Sequence, residues 1–327
     1  MFKDGVIVLS LFDGLAGARL ALDRADIPVK TYYSSEIDKY AIKVSSTNYP
    51  DIVQLGDINN WHNWDIDQPD LIIGGSPCTG FSVAGKHLNF EDPQSKLFFV
   101  YIDILAHYRP RYFLLENVKM KKEWRDRITS CVQEIYPDVE PILINSALVS
   151  AQNRSRYYWT NIPDVAQPDD KGILLKDIIH DGFVDRDKSY ACTASGNYTS
   201  PDNYYERKRG QIVFKDIEFF NDYIKNSPVS IVGTKRERSL PGQRIIIDSK
   251  FSILRANGER EGITQDNVKY RKLDPVEYER LQTIPDNYTN HASNTQRYKM
   301  IGNGFTIDVI AHILKNMKED LWQYNEN

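Results

Sequence analysis

The stretch "VIVLSLFDGLAGARLALDRADIPVKTYYSSEID", residues 6–38, decides the fold. Its first seven residues are apolar except for one serine, as in a strand buried on both faces. Gly14 and Gly17 then break the run before the helical pattern "GARLALDRA". A second strand-like run, "VKTYYSSE", follows one crossover later, which completes a β-α-β unit.

Working outward, the alternation continues to about residue 160. "DKYAIKVSSTNY" reads as a helix, as do residues 95–107 and 121–135. "DLIIGG", "YFLLEN", "PILINSAL" and "RYYWTNI" read as strands. An open, doubly wound α/β sheet is predicted. In "SKLFFVYIDILAHY", Leu97, Phe98, Tyr101, Ile102 and Leu105 recur at helical spacing and form a core-facing stripe. After residue 162 the sequence turns irregular and Asn/Gly/Ser-rich, with short β-like pieces in "GQIVF", "VSIVG" and "QRIIIDSKFSIL". Helical periodicity returns in "DPVEYERLQTI", where Asp274 is the expected N-cap and Pro275 the first helical residue. "FTIDVIAHILKNM" is a second amphipathic helix. The expected organisation is a first domain over 1–162, a small inserted domain over 163–270, and a segment 271–327 that completes the first.

Composition narrows the function. A chain of 327 residues, 41% hydrophobic, can bury a large core. Cys78, Cys131 and Cys192 are too few and too scattered for a disulfide framework or a zinc site, so a reducing, intracellular setting without a structural metal is expected. The apolar run in "MFKDGVIVLSLFDG" is too short to span a membrane and unlike a signal peptide. A soluble cytoplasmic protein, monomeric and without membrane contact, is expected. The net charge of -4 hides an uneven distribution: Asp202–Lys272 carries +5, which leaves -9 elsewhere. Within that basic segment "GTKRERSLPGQR", residues 233–244, reads either as a solvated loop or as a phosphate-tracking one.

Several residues carry chemistry at the strand ends. The Gly14–Gly17 turn lies where such sheets bind nucleotide-like ligands, yet it is neither G-x-G-x-x-G nor a P-loop, so no pyrophosphate is implied. Glu36, ending the second strand, suits the two hydroxyls of a ribose. Asp57, ending a third strand at "QLGDI", suits an adenine amino group, with Ile58 as an apolar wall. Together they describe a pocket for an adenosine without phosphates. Cys78 follows the fourth strand. A lone thiol is ordinarily a buried structural one, but Pro77 before it and Gly80, Ser82 and Gly85 after it make the closing loop expected around a nucleophile. Glu116, with Asn117, ends the next strand and reads as an acid or as a helix cap. Gln152, Arg154 and Arg156 alternate on one strand face, where two guanidinium groups would bind a phosphate or lower a thiol pKa from about 8.5.

The ordered set "FDGLAG", "SSEID", "GDI", "GGSPCTGFSVAGK", "ENV", "QNRSRYYW", "RKLDPVEYERLQTIPDNY" and "MIGNGF" resembles the DNA cytosine-5 methyltransferase family along nearly the whole chain. That resemblance implies a Rossmann-like sheet for S-adenosylmethionine, a target-recognition domain over 163–270, and double-stranded DNA as partner. It makes Cys78 the nucleophile, Glu116 the residue that holds and protonates cytosine, and Arg154 and Arg156 the groups that orient the base and its phosphate. Phe12, Gly14, Gly17, Glu36, Ile37, Asp57, Ile58, Pro77, Leu97 and Asn303 would then line the cofactor site. Thr79 stands where members often have Gln, and Gly304 where a small polar or apolar residue is common. The implied reaction is methylation of carbon 5 of a flipped-out cytosine, as in restriction-modification systems. The competing readings are a transfer-RNA methylase of the same architecture, an inactive DNA-binding homologue, and a nicotinamide oxidoreductase. The last lacks the dinucleotide fingerprint and leaves the thiol without a role.

Overall fold

A computed structural model describes residues 5–77, 93–194, 211–215 and 270–323, together with three short strands at 246–248, 252–254 and 260–262. The first strands and helices fall where the apolar periodicity puts them. They are β1 (Val6–Leu11), α1 (Gly17–Arg24), β2 (Val29–Ser35), α2 (Lys39–Asn48), β3 (Val53–Gln54) and β4 (Leu71–Gly74). α3 (Pro93–Tyr108), β5 (Tyr112–Val118), α4 (Lys122–Gln133), β6 (Ile142–Asn145), β7 (Gln152–Asn153) and β8 (Ser155–Thr160) follow.

One seven-stranded sheet has the order β3-β2-β1-β4-β5-β8-β6. β3 to β5 run parallel, and β8 is antiparallel to both of its neighbours. Side chains alternate along β1: Val6 and Val8 join the core under α1 and the C-terminal helices, while Leu9 and Leu11 join the core under α3 and α4. Both faces are therefore covered, which is why the strands read as apolar runs. In α3, Phe98, Tyr101 and Leu105 are fully buried as their spacing predicts.

The C-terminal segment closes on this sheet. Its first helix, Pro275–Leu281, is capped reciprocally by Asp274 and Glu277, with Pro275 in the first turn. A second helix covers Asn294–Asn303, and a third, Ile307–Gln323, packs along α1. Tyr288 Oη donates to Leu15 O (2.8 Å) and Lys299 Nζ pairs with Asp38 (2.6 Å), so this segment fastens directly to the first β-α-β unit. From the region after β8, a strand Ile212–Phe214 pairs antiparallel with Tyr270–Lys272, and Ile246–Asp248 pairs with Ser252–Leu254. These are two of the β-like pieces expected there; "VSIVG" lies outside the described residues. Among the described residues no helix is long and apolar enough to cross a membrane.

Candidate active site

Four parallel strands end in one register row, in which Ser35 of β2, Leu11 of β1, Gly74 of β4 and Leu115 of β5 are successive partners. The next residues are Glu36, Phe12, Gly75 and Glu116. Residues 24 to 63 positions apart in sequence thus stand side by side because of register. Three interstrand steps make the row about 14 Å long, enough for a nucleoside and a second ring next to it.

At the β1–β2 end the chain turns sharply: Phe12, Gly14 and Ala16 have φ of 57°, 62° and 64°. A Cβ at Gly14 would meet nothing within 4 Å, so the turn faces open space. Gly14 N donates to Glu36 Oε2, and Ile37 N and Asp38 N donate to Oε1, each at 2.8 Å. Glu36 is thereby fixed, and Oε2, which accepts once, retains acceptor capacity. Beside it the Ile37 side chain is 74% exposed. Asp57 does not end β3, as the sequence suggests. It lies three residues further on and caps the short helix Ile58–Asn63, taking Asn59 N (2.9 Å) and Asn59 Nδ2 (2.8 Å) on one oxygen only. Capping chemistry wins over strand propensity for an aspartate after Gly56. Ile58 is buried, while Phe12 and Leu97 are half-buried against the same core. An exposed aliphatic side chain, two carboxylates with spare acceptor capacity and an open glycine turn fit an adenosine. Replacing Glu36 with Ala is expected to weaken S-adenosylmethionine binding by about 1–3 kcal/mol, the scale of hydrogen bonds to a charged group. Calorimetry on the folded variant measures this, and an unchanged affinity would remove Glu36 from the site.

At the β5 end, Glu116 Oε1 pairs with Arg156 Nε at 2.9 Å, and both side chains are largely buried. A Cβ on Gly75 would stand 3.0 Å from Glu116 Oε2 and 3.2 Å from Phe305 Cε1. A Cβ on Gly17 would stand 3.6 Å from the same ring. Glycine at both positions lets Phe305 stand between the β1 turn and Glu116. Sequence reasoning missed Phe305; the signal lay in "MIGNGF", where Asn303 and Gly304 were singled out. Asn303 itself is exposed at the end of its helix. Pro77 is half-buried, and Ser76 Oγ accepts from Asn117 Nδ2 (3.3 Å). Cys78, Thr79, Gly80, Ser82 and Gly85 lie outside the described residues, as does the basic cluster 233–244.

The two arginines part company. Gln152, Arg154 and Arg156 do not share one continuous strand, because the chain breaks at Arg154 between β7 and β8. Arg154 is buried and donates to the carbonyls of Cys192 (3.0 Å), Gly302 (3.3 Å) and Gly304 (3.0 Å). Burial first, and then the Arg156 charge nearby, lower its pKa to about 10. In this structure it ties backbone segments together, whereas Arg156 faces Glu116. Gln152 is also buried, donating to Leu281 O (2.6 Å) and Gln282 Oε1 (2.8 Å). Gln282 in turn donates to Ile301 O (3.0 Å) and Gly304 O (3.1 Å). These polar residues hold the 301–305 segment against the sheet edge. Among the described residues one group has metal-like spacing, His180, Asp274 and Glu277. Arg271 donates to both Glu277 oxygens at 2.7 Å, and His180 N and Asp274 N donate to them as well, so this is an ion-pair junction.

A model of the C-5 cytosine-specific DNA methylase family matches residues 6–319. The chain belongs to that family. It is a DNA (cytosine-5) methyltransferase, and its methyl donor is S-adenosylmethionine. Among curated relatives, the type II methyltransferase M1.ScrFI of Lactococcus lactis subsp. cremoris is 31% identical, with 96% of this chain and 78% of that protein aligned. The type II methyltransferase M.HpaII of Haemophilus parainfluenzae is 29% identical over 96% of this chain and 89% of its own length. A crystal structure of Spodoptera frugiperda DNMT2 superposes with a TM-score of 0.63 at 19% identity, covering 96% of this chain and 99% of that one, a likeness of fold. S-adenosylmethionine carries an adenosine without phosphates, the kind of ligand that the groups at the β1–β2 end fit.

Proposed function

We propose that this methyltransferase acts on a cytosine flipped out of a specific double-stranded DNA sequence, through a covalent bond to Cys78. The supporting observation is the Glu116–Arg156 pair on the same strand-end row as the Glu36 turn. An acid is thus held in register with an adenosine site.

Carbon 5 of cytosine is a poor nucleophile, so electron density must first be raised there. Cys78 thiolate adds to carbon 6 while Glu116 holds ring nitrogen 3 and gives it a proton. Arg156 keeps Glu116 aimed along the row and is itself within reach of the base. Glu36, Ile37, Asp57, Ile58 and the Phe12–Gly17 turn hold S-adenosylmethionine, with Pro77, Leu97 and Asn303 bordering them. When bound, the cofactor supplies an electrophilic methyl group on a sulfonium. Loss of the carbon 5 proton then expels the thiol and frees Cys78. A stacked base exposes neither ring face, so the target must leave the duplex. Arg154 contributes by holding Gly302 and Gly304, and thus Asn303, in place.

Residues 163–270 are the target-recognition region, a reading supported by the stretch Asp202–Lys272, which makes up most of it and carries +5. The kinship to type II enzymes supports a sequence-specific modification enzyme; a monomeric, cytoplasmic protein is part of the same proposal. The test offers tritiated S-adenosylmethionine with duplex DNA or transfer RNA, followed by bisulfite sequencing of DNA from expressing cells. Label in DNA at one recurring sequence is expected. Label in RNA alone would refute the substrate. Neutralising Lys235, Arg236 and Arg238 together should flatten the salt dependence of DNA binding by nearly one unit of slope per lost phosphate contact; an unchanged slope would exclude that cluster from the backbone.

A further inference from the structure

Asp13, between Phe12 and Gly14, is a charged residue of the strand-end turn that the proposed chemistry leaves unused. Its side chain is buried, and the residue is 5% exposed. Ser10 Oγ and Tyr32 Oη donate to Oδ1, both at 2.6 Å, and Ser34 Oγ donates to Oδ2 at 2.8 Å. The Asp13 amide donates to Ser35 O at 3.2 Å. These partners belong to β1 and β2, the strands that carry Phe12 and Glu36, so the carboxylate is built rigidly into the wall behind the turn.

The hydrogen-bonding partners are neutral hydroxyls. The ionisable groups that act on Asp13 are Glu36 at the end of β2, the Tyr32 phenol, and the Tyr288 phenol of the C-terminal segment. None of these three is basic. Burial pushes the Asp13 pKa up to about 6; the hydroxyls oppose this and Glu36 adds to it, so the group is ionised at neutral pH. A buried carboxylate next to a second carboxylate and without a cation is costly. A cationic ligand relieves that cost. S-adenosylmethionine carries a sulfonium, whereas its product, S-adenosylhomocysteine, has a neutral thioether and is otherwise built from the same groups.

We propose that Asp13 acts as a fixed negative charge behind the Phe12–Gly14 turn, making the pocket prefer the sulfonium cofactor over its thioether product. The proposal rests on the reading that the cofactor lies over that turn. Asp13 would be a positioning and selectivity residue that touches neither ligand and acts through space. A unit charge several ångströms away, at an effective dielectric near 20 and with some solvent screening, changes an affinity by roughly tenfold.

Calorimetric titration of the whole protein with S-adenosylmethionine and, separately, with S-adenosylhomocysteine gives the ratio of the two affinities. Asp13→Asn is expected to lower that ratio roughly tenfold, mostly through weaker binding of the sulfonium form. Ser34→Ala, which keeps the charge and removes one tie, should leave the ratio unchanged. In the unaltered protein the preference should fade as pH drops through about 6 and Asp13 takes up a proton, while Asp13→Asn should show no such fading. This pH series keeps the test available even if the variant does not fold. Equal losses for both ligands in Asp13→Asn, or a ratio independent of pH in the unaltered protein, would reduce Asp13 to a structural tie and overturn the proposal. Titrating Glu36→Ala separates the underlying reading: if neither ligand is weakened there, the cofactor does not lie over the turn and the proposal falls with that reading. A weakened Glu36→Ala with a flat ratio in Asp13→Asn sinks the proposal alone.

Discussion

Duplex DNA with 5-fluorocytosine in place of every cytosine should stop this enzyme as a covalent adduct through Cys78. Thiol addition and methyl transfer can both proceed on the fluorinated base. The last step would then need fluorine to leave as a cation, which is chemically inaccessible, so the thiol cannot be expelled. Full replacement of cytosine makes the test independent of the recognised sequence. The adduct should require S-adenosylmethionine, survive denaturing electrophoresis, and map by mass spectrometry to the peptide containing "GGSPCTGF". Cys78→Ser should abolish both the adduct and turnover on ordinary DNA, because an alkoxide forms far less readily than a thiolate near neutral pH. The other two thiols are poor rivals. Cys192 is 4% exposed and burial pushes its pKa up to about 12, while Cys131 is half-buried on α4 and also shifted upward by burial. An adduct on either of them would overturn the assignment.

Gly302→Ala is expected to destabilise the protein by at least about 3 kcal/mol, above the usual range for an added methyl group. A Cβ there would stand 2.3 Å from Thr193 C, 2.4 Å from its O and 2.6 Å from Ala194 N. All three are backbone atoms. That backbone cannot easily yield, since Gln152 Oε1 holds Cys192 N (3.1 Å) and Tyr278 Oη holds Thr193 N (3.2 Å). Displacing it would also strip Arg154 of its carbonyls. Gly17→Ala is the control: its closest contact would be 3.2 Å to Ile307 Cδ1, the mobile end of a side chain. A change within about 1 kcal/mol is expected there. Denaturant unfolding compares the two, and similar stabilities would mean that the crossing is looser than its geometry.

Much of this was legible in the sequence because one physical pattern carries it. Strands buried on both faces are written as apolar runs, and parallel strands joined by helices bring their ends to one edge, so Glu36 and Glu116 could be nominated without coordinates. What failed was decided by a residue's hydrogen-bond partners rather than by its place along an apolar run. Spacing put Arg154 and Arg156 on one face, but the break after β7 sends Arg154 to three carbonyls instead. Asp57 was read by its distance from an apolar run, when its own capping bond decides its place. Asp13 drew no functional reading, because its hydroxyl partners reside on two strands. Phe305 was overlooked because its neighbours, Gly17 and Gly75, have no side chains to mark the contact.

The clasp between the two ends of the chain has a consequence for synthesis. Arg24 of α1 binds Thr283 O (2.6 Å) and the Asp308 carboxylate, a partner 284 residues later, and the helix Ile307–Gln323 lies along α1. At ordinary ribosomal speeds, that separation corresponds to roughly a quarter of a minute to a minute of translation. During that interval the first β-α-β unit lacks Tyr288 and Phe305 as well as the helix that covers one of its faces. The growing chain therefore presents an uncovered apolar face to chaperones and neighbouring chains, and Phe305 is not yet in place between the β1 turn and Glu116. A product truncated before the C-terminal segment should aggregate or be degraded rather than methylate DNA.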